Sequence, residues 1–279
     1  MTLPPNPRRA GALCALLAAA VLAGCAARGV PGTPGALPAL RGETRDRVTA
    51  SDEPEATRRA RVRLELATAY FSRGQMTTAL DEVKQSIAAD PTIAAAFNLR
   101  GLIYANLGDH ALAEDSFQRA LAIDRADADT MQNYGWYLCQ QRRYDEAERL
   151  FRQAMDVPRY ADTARTLMTK GICQARAGQL ATAEATLGRA YELDAGNPVI
   201  AVNLSEVLYR RGQYERARFI MRRVNAQTDV SNAQTLWLAA RIEQKLGNGP
   251  QVQLLGEQLR GRFPNAPEAV AYERRQFDE

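Results

Sequence analysis

One short pattern recurs six times in this chain at a spacing of about thirty-four residues, and a fixed period of that length confines the fold to an array of like units. The turn position of each copy is Gly74, Gly108, Arg142, Gly178, Gly212 and Gly247, at intervals of 34, 34, 36, 34 and 35 residues. Five residues past each turn stand Ala79, Ala113, Ala147, Ala183, Ala217 and, in the last copy, Val252. Four further on come Val83, Phe117, Phe151, Leu187 and Met221, before the sixth copy lapses to Gly256. Small and large residues thus keep step with the turns along most of the chain.

Within a copy the apolar residues recur at three- and four-residue steps on both sides of the turn. In the second copy Phe97, Gly101 and Tyr104 precede Gly108, and Leu112, Ala113, Phe117, Ala120 and Leu121 follow it. That spacing gives one apolar stripe per helix, so each copy reads as a helical hairpin and the chain as all-α. Gly101, Gly135 and Gly171 in the first helix, with the alanine ladder in the second, let two backbones approach while the large residues fill the gaps. The turn glycine ends the first helix in a left-handed conformation. Arg142 breaks that rule, so the third turn is expected to be strained or to take another geometry. Asp90-Pro91, Asn197-Pro198 and Phe263-Pro264 mark where one helix stops and the next begins.

The period and the positions of glycine, tyrosine, alanine and proline over roughly residues 60 to 264 resemble the tetratricopeptide repeat. The resemblance implies a superhelix (an α-solenoid) of six hairpins, with a continuous core, a concave groove, and Ala266 to Glu279 as a polar-faced capping helix. In that repeat the first helix of each pair lines the groove. The residues it would present here are Leu64, Thr68, Phe71, Asn98, Leu102, Asn106, Gln132, Asn133 and Trp136, about half of them exposed. Apolar side chains alternate with amides along this face, which suits a peptide or amphipathic helix whose apolar face is buried and whose backbone is hydrogen-bonded. Pairs of arginine or lysine that would clamp a terminal carboxylate are missing from the stretch.

The first fifty residues bear on location. Arg8 and Arg9 precede an apolar run from Gly11 to Leu22, too short to span a bilayer about 30 Å thick, and then comes Leu22-Ala23-Gly24-Cys25. This looks like a bacterial lipoprotein signal, with residues 1–24 as the leader. The Cys25 thiol would be the nucleophile that takes a diacylglycerol, followed by a fatty acyl chain; several chains together hold a protein at a membrane where one does not. Ala26 after the cysteine resembles lipoproteins sorted to the outer membrane, and no other cofactor is expected. An ordinary secretory signal with a chance cysteine is the bland alternative. From Cys25 to about residue 55 the chain is rich in glycine and proline and lacks an apolar stripe, so it reads as a disordered tether to an array over residues 56–279.

Removing Arg8 and Arg9 with the leader takes the net charge from +4 to +2, and arginines are interspersed with acids, so composition argues for no nucleic-acid partner. The densest basic run, Arg58 to Arg63, reads as a solvated helix face. Catalysis finds little support: there is a single histidine, His110, in the slot that Tyr144 and Tyr214 occupy elsewhere, where a repeat-core role is expected. No zinc spacing or phosphate-binding glycine loop occurs, acids such as Glu114-Asp115 fall on outward helix faces, and no metal or small-molecule substrate is expected. Outside the leader and Cys25, the remaining cysteines are Cys139 and Cys173, late in the first helices of adjacent repeats. In a tetratricopeptide stack those helices lie side by side, so a disulfide clamping repeats three and four across the insertion Val157-Pro158-Arg159-Tyr160 is expected, the alternative being two buried thiols.

The runs Asn133-Tyr134-Gly135-Trp136-Tyr137-Leu138-Cys139, Pro158-Arg159-Tyr160 and Gly171-Ile172-Cys173, six repeats, the leader and the closing Arg262-Phe263-Pro264 together resemble the PilF/PilW family of type IV pilus biogenesis lipoproteins. The resemblance implies a pilotin: a lipid-anchored protein on the periplasmic face of the outer membrane. Such a protein binds the pilus secretin, assists its insertion and multimerisation there, and has no enzymatic activity. It also implies that the early repeats hold the client. The alternative is a tetratricopeptide lipoprotein adaptor for outer-membrane protein insertion or for cell-wall hydrolases.

Overall fold

The computed structural model describes residues 53–277; the leader, Cys25 and nearly all of the tether lie outside the described residues. Within them are six consecutive helical hairpins and a short thirteenth helix. The pairs are α1 (Glu55–Ser72) with α2 (Met76–Ala89), α3 (Ala94–Leu107) with α4 (His110–Ile123), α5 (Ala128–Gln140) with α6 (Tyr144–Asp156), α7 (Thr163–Arg176) with α8 (Leu180–Leu193), α9 (Pro198–Arg210) with α10 (Tyr214–Asn225), and α11 (Ala233–Lys245) with α12 (Gly249–Arg262). The closing helix is α13 (Pro267–Glu273).

The second, third and fourth hairpins close by a glycine facing a large residue sixteen positions on. A Cβ placed on Gly101 would lie 2.8 Å from the Phe117 ring, one on Gly135 2.9 Å from Phe151, and one on Gly171 2.6 Å from Leu187. Those distances leave no room for a methyl group, so glycine there fixes how closely two helices approach. The alanine ladder is fully buried from Ala79 to Ala217. In the sixth pair Gly256 stands where the other copies have the large residue, and Tyr272 from α13 fills the space: a Cβ on Gly256 would meet its ring at 1.8 Å.

The turns share one geometry. Gly74, Gly108, Gly178, Gly212 and Gly247 have φ between 70° and 81°, and Arg142 joins them at φ 61°. The third turn is thus an ordinary left-handed cap carrying a side chain that pays for the conformation, and its amide still donates to the Cys139 carbonyl at 3.0 Å. Of the three prolines expected at helix boundaries, Pro198 opens α9 behind the Asn197 cap, whereas Pro91 and Pro264 sit in the linkers before α3 and α13. At the first linker the Asp90 carboxylate accepts from the Thr92 amide and hydroxyl and from the Thr57 hydroxyl, which holds that turn without a helix start.

The pairs stack asymmetrically. Each first helix touches the next first helix, α1 to α3 and onward to α11, while among the described residues no second helix reaches the next second helix. Stacked hairpins that crowd on one side and splay on the other curve toward the crowded side, so the first helices form the inner wall. At α5 and α7 that contact is covalent: Cys139 and Cys173, both buried, form a disulfide with their Cα atoms 5.8 Å apart. It spans the insertion, where Arg159 adopts φ 63° and the Tyr160 hydroxyl lies 2.9 Å from that of Thr166.

Two expectations about polar residues are corrected. Glu114 is not on an open face: it accepts from the Tyr134 hydroxyl at 2.7 Å and from Arg143 at 2.8 Å, while Arg143 also grips Glu146, so the network ties α4 to α5 and α6. The Arg143 guanidinium holds the Glu114 carboxyl below the usual carboxylate range, and burial together with the hydrogen bond to Glu114 pushes the Tyr134 phenol up to about 12. Its neighbour Asp115 is exposed and pairs with Arg100 at 3.1 Å. His110, expected in the repeat core, is exposed because it is the first residue of α4, where the chain has just left the Asp109 cap; its carbonyl accepts from the Tyr137 hydroxyl at 3.0 Å, and its ring lies 6.0 Å from that of Tyr137. The C-terminal segment is not simply polar: α13 stops at Glu273, Ala269 is buried, and the chain turns back so that Phe277 packs on Trp237.

Three outcomes follow, each read by equilibrium unfolding. Gly101→Ala is expected to cost about 1–3 kcal/mol, because the added methyl must displace the Phe117 ring. Replacing both Cys139 and Cys173 with serine is expected to lose roughly 2–4 kcal/mol, given the 34-residue separation the bond closes. Glu114→Gln is expected to cost about 1–2 kcal/mol at neutral pH. The folded Glu114 pKa is depressed, so its contribution is present above the ordinary value of 4.5 and lost as pH falls through the lowered one. The gap between wild type and Glu114→Gln therefore closes on acidification.

Candidate functional site

The inner wall is read off by counting back from each turn. Ten residues before it stand Leu64, Asn98, Gln132, Met168, Val202 and Trp237; six before it stand Thr68, Leu102, Trp136, Ile172, Glu206 and Arg241. These two positions lie four apart on every first helix, on one face. The stripe is apolar through its middle and gains charge toward the end.

Of the nine residues expected on this face, all lie on α1, α3 and α5, and they are less open than half exposed would require. Thr68 and Asn106 are exposed; Leu64, Phe71, Asn98, Leu102, Asn133 and Trp136 are half-buried; Gln132 is buried at 4% exposure. Leu64 and Phe71 pack into the core of the first two pairs, and Leu102 and Trp136 into that of the second and third. The amides are partly used within the wall. Asn106 donates to the Leu102 carbonyl at 2.8 Å, the Thr68 hydroxyl to the Leu64 carbonyl at 2.9 Å, and Asn133 to the Asn98 amide oxygen at 3.3 Å across α3 and α5. One acceptor is left over: the side-chain carbonyl oxygen of Gln132 is buried without a hydrogen-bond partner. A buried polar atom in that condition costs about 1–3 kcal/mol.

Sequence reasoning stopped at the third repeat, and the wall continues past it. Met168, Ile172, Val202 and Trp237 are half-buried on the same registers and pack against the core of the last three pairs. Arg176 brings a cation to the face, its guanidinium 4.7 Å from the centroid of the Trp136 ring, and Arg241 lies 4.6 Å above Tyr209. The period that found Asn98 and Trp136 also marks Met168, Ile172, Trp237 and Arg241. Arg176 and Tyr209 stand nearer the turn and carry no such signal. Arg58, Arg59 and Arg61 of the basic run are exposed, as expected of a solvated helix face, and Arg59, Arg61 and Arg63 pair with Glu55, Glu53 and Glu82.

Chemically the face offers aliphatic and aromatic area and arginines laid on rings. That combination binds a polypeptide segment by side-chain burial and a few directed hydrogen bonds. Among the described residues no three histidine, cysteine or acidic side chains converge as a metal site, and no helix is long and apolar enough to cross a membrane.

The chain matches sequence models of the tetratricopeptide repeat over residues 92–159, 135–198 and 174–242. It is 25% identical over 205 residues to the type IV pilus assembly protein PilF of Pseudomonas aeruginosa, spanning 74% of this chain and 81% of that protein. The crystal structure of PilW, described as a widely conserved type IV pilus biogenesis factor, superposes with a TM-score of 0.71 at 28% identity, covering 76% of this chain and 97% of PilW. The structure of Pseudomonas aeruginosa PilF gives a TM-score of 0.69 at 23% identity, over 80% of this chain and all of PilF, and shares the fold. Period, inner wall and these likenesses agree: the chain is a PilF/PilW-like tetratricopeptide-repeat protein.

Proposed function

We propose that this protein acts in type IV pilus biogenesis as an outer-membrane lipoprotein that binds the pilus secretin and assists its insertion and multimerisation. The observation that carries the reading is the likeness to PilF and PilW along almost the whole array, joined to an inner wall shaped for a polypeptide segment. The protein is an interaction scaffold in this reading, not an enzyme. Its parts divide the task. Acylated Cys25 supplies the membrane address, the segment to residue 55 supplies reach, and the wall of α1, α3 and α5 holds the client. Tethering a weak groove to the membrane raises the local concentration of client without new contacts.

The disulfide has a place in this scheme. A groove formed by side-by-side helices keeps its spacing only if neighbouring repeats do not slide, and the linker after α6 is where the chain departs from the regular period. Cys139 and Cys173 fix α5 against α7 there, beside the Trp136 and Arg176 pair.

Cys25→Ser is expected to leave the array folded and released from the membrane while secretin multimers fail to accumulate in the outer membrane, measured by membrane fractionation and by the heat-stable multimer on gels. Normal multimers in that variant contradict the anchor's role. Trp136→Ala is expected to weaken co-purification of the secretin by about tenfold or more, since central aromatic anchors contribute about 2 kcal/mol or more to binding. Unchanged recovery contradicts the use of this wall.

A further inference from the structure

Among the described residues, the inner wall is covered at repeats five and six by the chain's own C-terminal segment. After α13 the chain does not run off the end of the stack. Arg275 takes a left-handed conformation at φ 56°, and the amides of Arg275 and Gln276 donate back to the Tyr272 and Ala271 carbonyls at 3.0 and 2.9 Å, which reverses the direction of the chain. Phe277 is thereby laid on the wall. Its ring lies 5.1 Å from that of Trp237 and edge-on to Tyr272 at 6.1 Å. Its carbonyl oxygen accepts from Arg241 Nε at 3.2 Å and from the Tyr209 hydroxyl at 3.4 Å.

Phe277 packs at the edge of the core of the last repeats, beside Trp237 and Tyr272. Tyr272 already fills the gap over Gly256, and Ala269 is buried against the last pair. What Phe277 adds is different in kind: an aromatic side chain seated on a tryptophan, with the following main-chain carbonyl gripped by two side-chain donors. Trp237 and Arg241 occupy the registers that Asn98 and Leu102 occupy in the second repeat, and Arg241 is held in place by stacking on Tyr209. Side-chain donors from two adjacent helices converging on one main-chain carbonyl, beside an aromatic platform, is how a groove recognises a peptide rather than how a helix end is capped.

We infer that α9 and α11 form a second peptide-binding site, selective for an aromatic residue and its main-chain carbonyl, and that the chain's own C-terminal segment occupies it in cis. The tail is tethered a few residues away, so a competing segment in trans faces an effective concentration on the order of millimolar. A partner must therefore bring an aromatic-bearing segment and further contacts to displace it. The inference concerns repeats five and six alone and stands whether or not the partner at the early repeats is the secretin.

Tryptophan fluorescence tests it in the full chain. The chain has 2 tryptophans, and Trp136→Phe leaves Trp237 as the sole reporter. Adding Phe277→Ala is expected to raise acrylamide quenching of Trp237 roughly twofold, because its covering ring is gone. The circular dichroism should stay unchanged. A synthetic peptide copying residues 273–279 is expected to reverse that quenching saturably, and to have less than about a tenth of the effect on the chain that keeps Phe277, since the tethered tail outcompetes it. Peptide carrying alanine at the Phe277 position, or a chain also carrying Arg241→Ala, is expected to give no reversal. Should Phe277→Ala loosen α13, Tyr209→Phe removes only the hydroxyl and is expected to raise quenching by a smaller amount with the helix content intact. Quenching that stays unchanged in both variants, or a peptide that acts equally with and without Arg241, overturns the inference.

Discussion

Everything in this fold depends on how closely two helices of a hairpin can approach, and a single steric pairing sets that distance. Glycine at positions 101, 135 and 171 receives Phe117, Phe151 and Leu187 with no space for another carbon. Fixed at that separation, the hairpins become interchangeable blocks, each with one crowded flank and one open flank. The crowded flanks meet as a row of first helices, and that row is the surface proposed to hold a client. The last pair shows the same constraint from the other side: once Gly256 gives up the large residue, Tyr272 must come from outside to restore the contact. A repeat array needs such an end piece because its final unit has no successor to bury its face.

A wall built this way is only as well defined as the register between repeats. Between α6 and α7 the chain is two residues longer than the period, and it is there that a covalent bond and a tyrosine-threonine hydrogen bond hold the neighbours together. The network of Glu114, Tyr134 and Arg143 does the same one repeat earlier with charge and hydrogen bonds. Both lie against α5, which carries Gln132, Asn133 and Trp136. A helix fastened on two sides thus carries Trp136, which is where a client would need a rigid surface.

The hairpins, their turns and the two ladders were legible because periodicity reports packing directly: a residue that must be small in one unit must be small in all. What escaped the sequence was whatever depends on a single copy. Arg142 looks like a broken turn, yet hydrogen bonds identical to those of the glycine turns hold it in the left-handed region. His110 aligns with two half-buried tyrosines but lies open at the first position of α4. The amides Asn98, Asn106 and Asn133 looked available, and the structure spends much of their capacity on one another and on their own helices. The return of the tail onto Trp237 has no periodic signal, since a segment of seven helical residues and a turn has no sister in the chain.

Site-specific photo-crosslinking measures most directly whether the inner wall is the working surface. A crosslinking side chain placed at Leu102, on that wall, can be compared in intact envelopes with one at Phe219, which is 65% exposed on a second helix. Adducts with the pilus secretin from position 102 and none from position 219 are the predicted result. Adducts from position 219 alone would place the client on the outer surface and contradict the central claim.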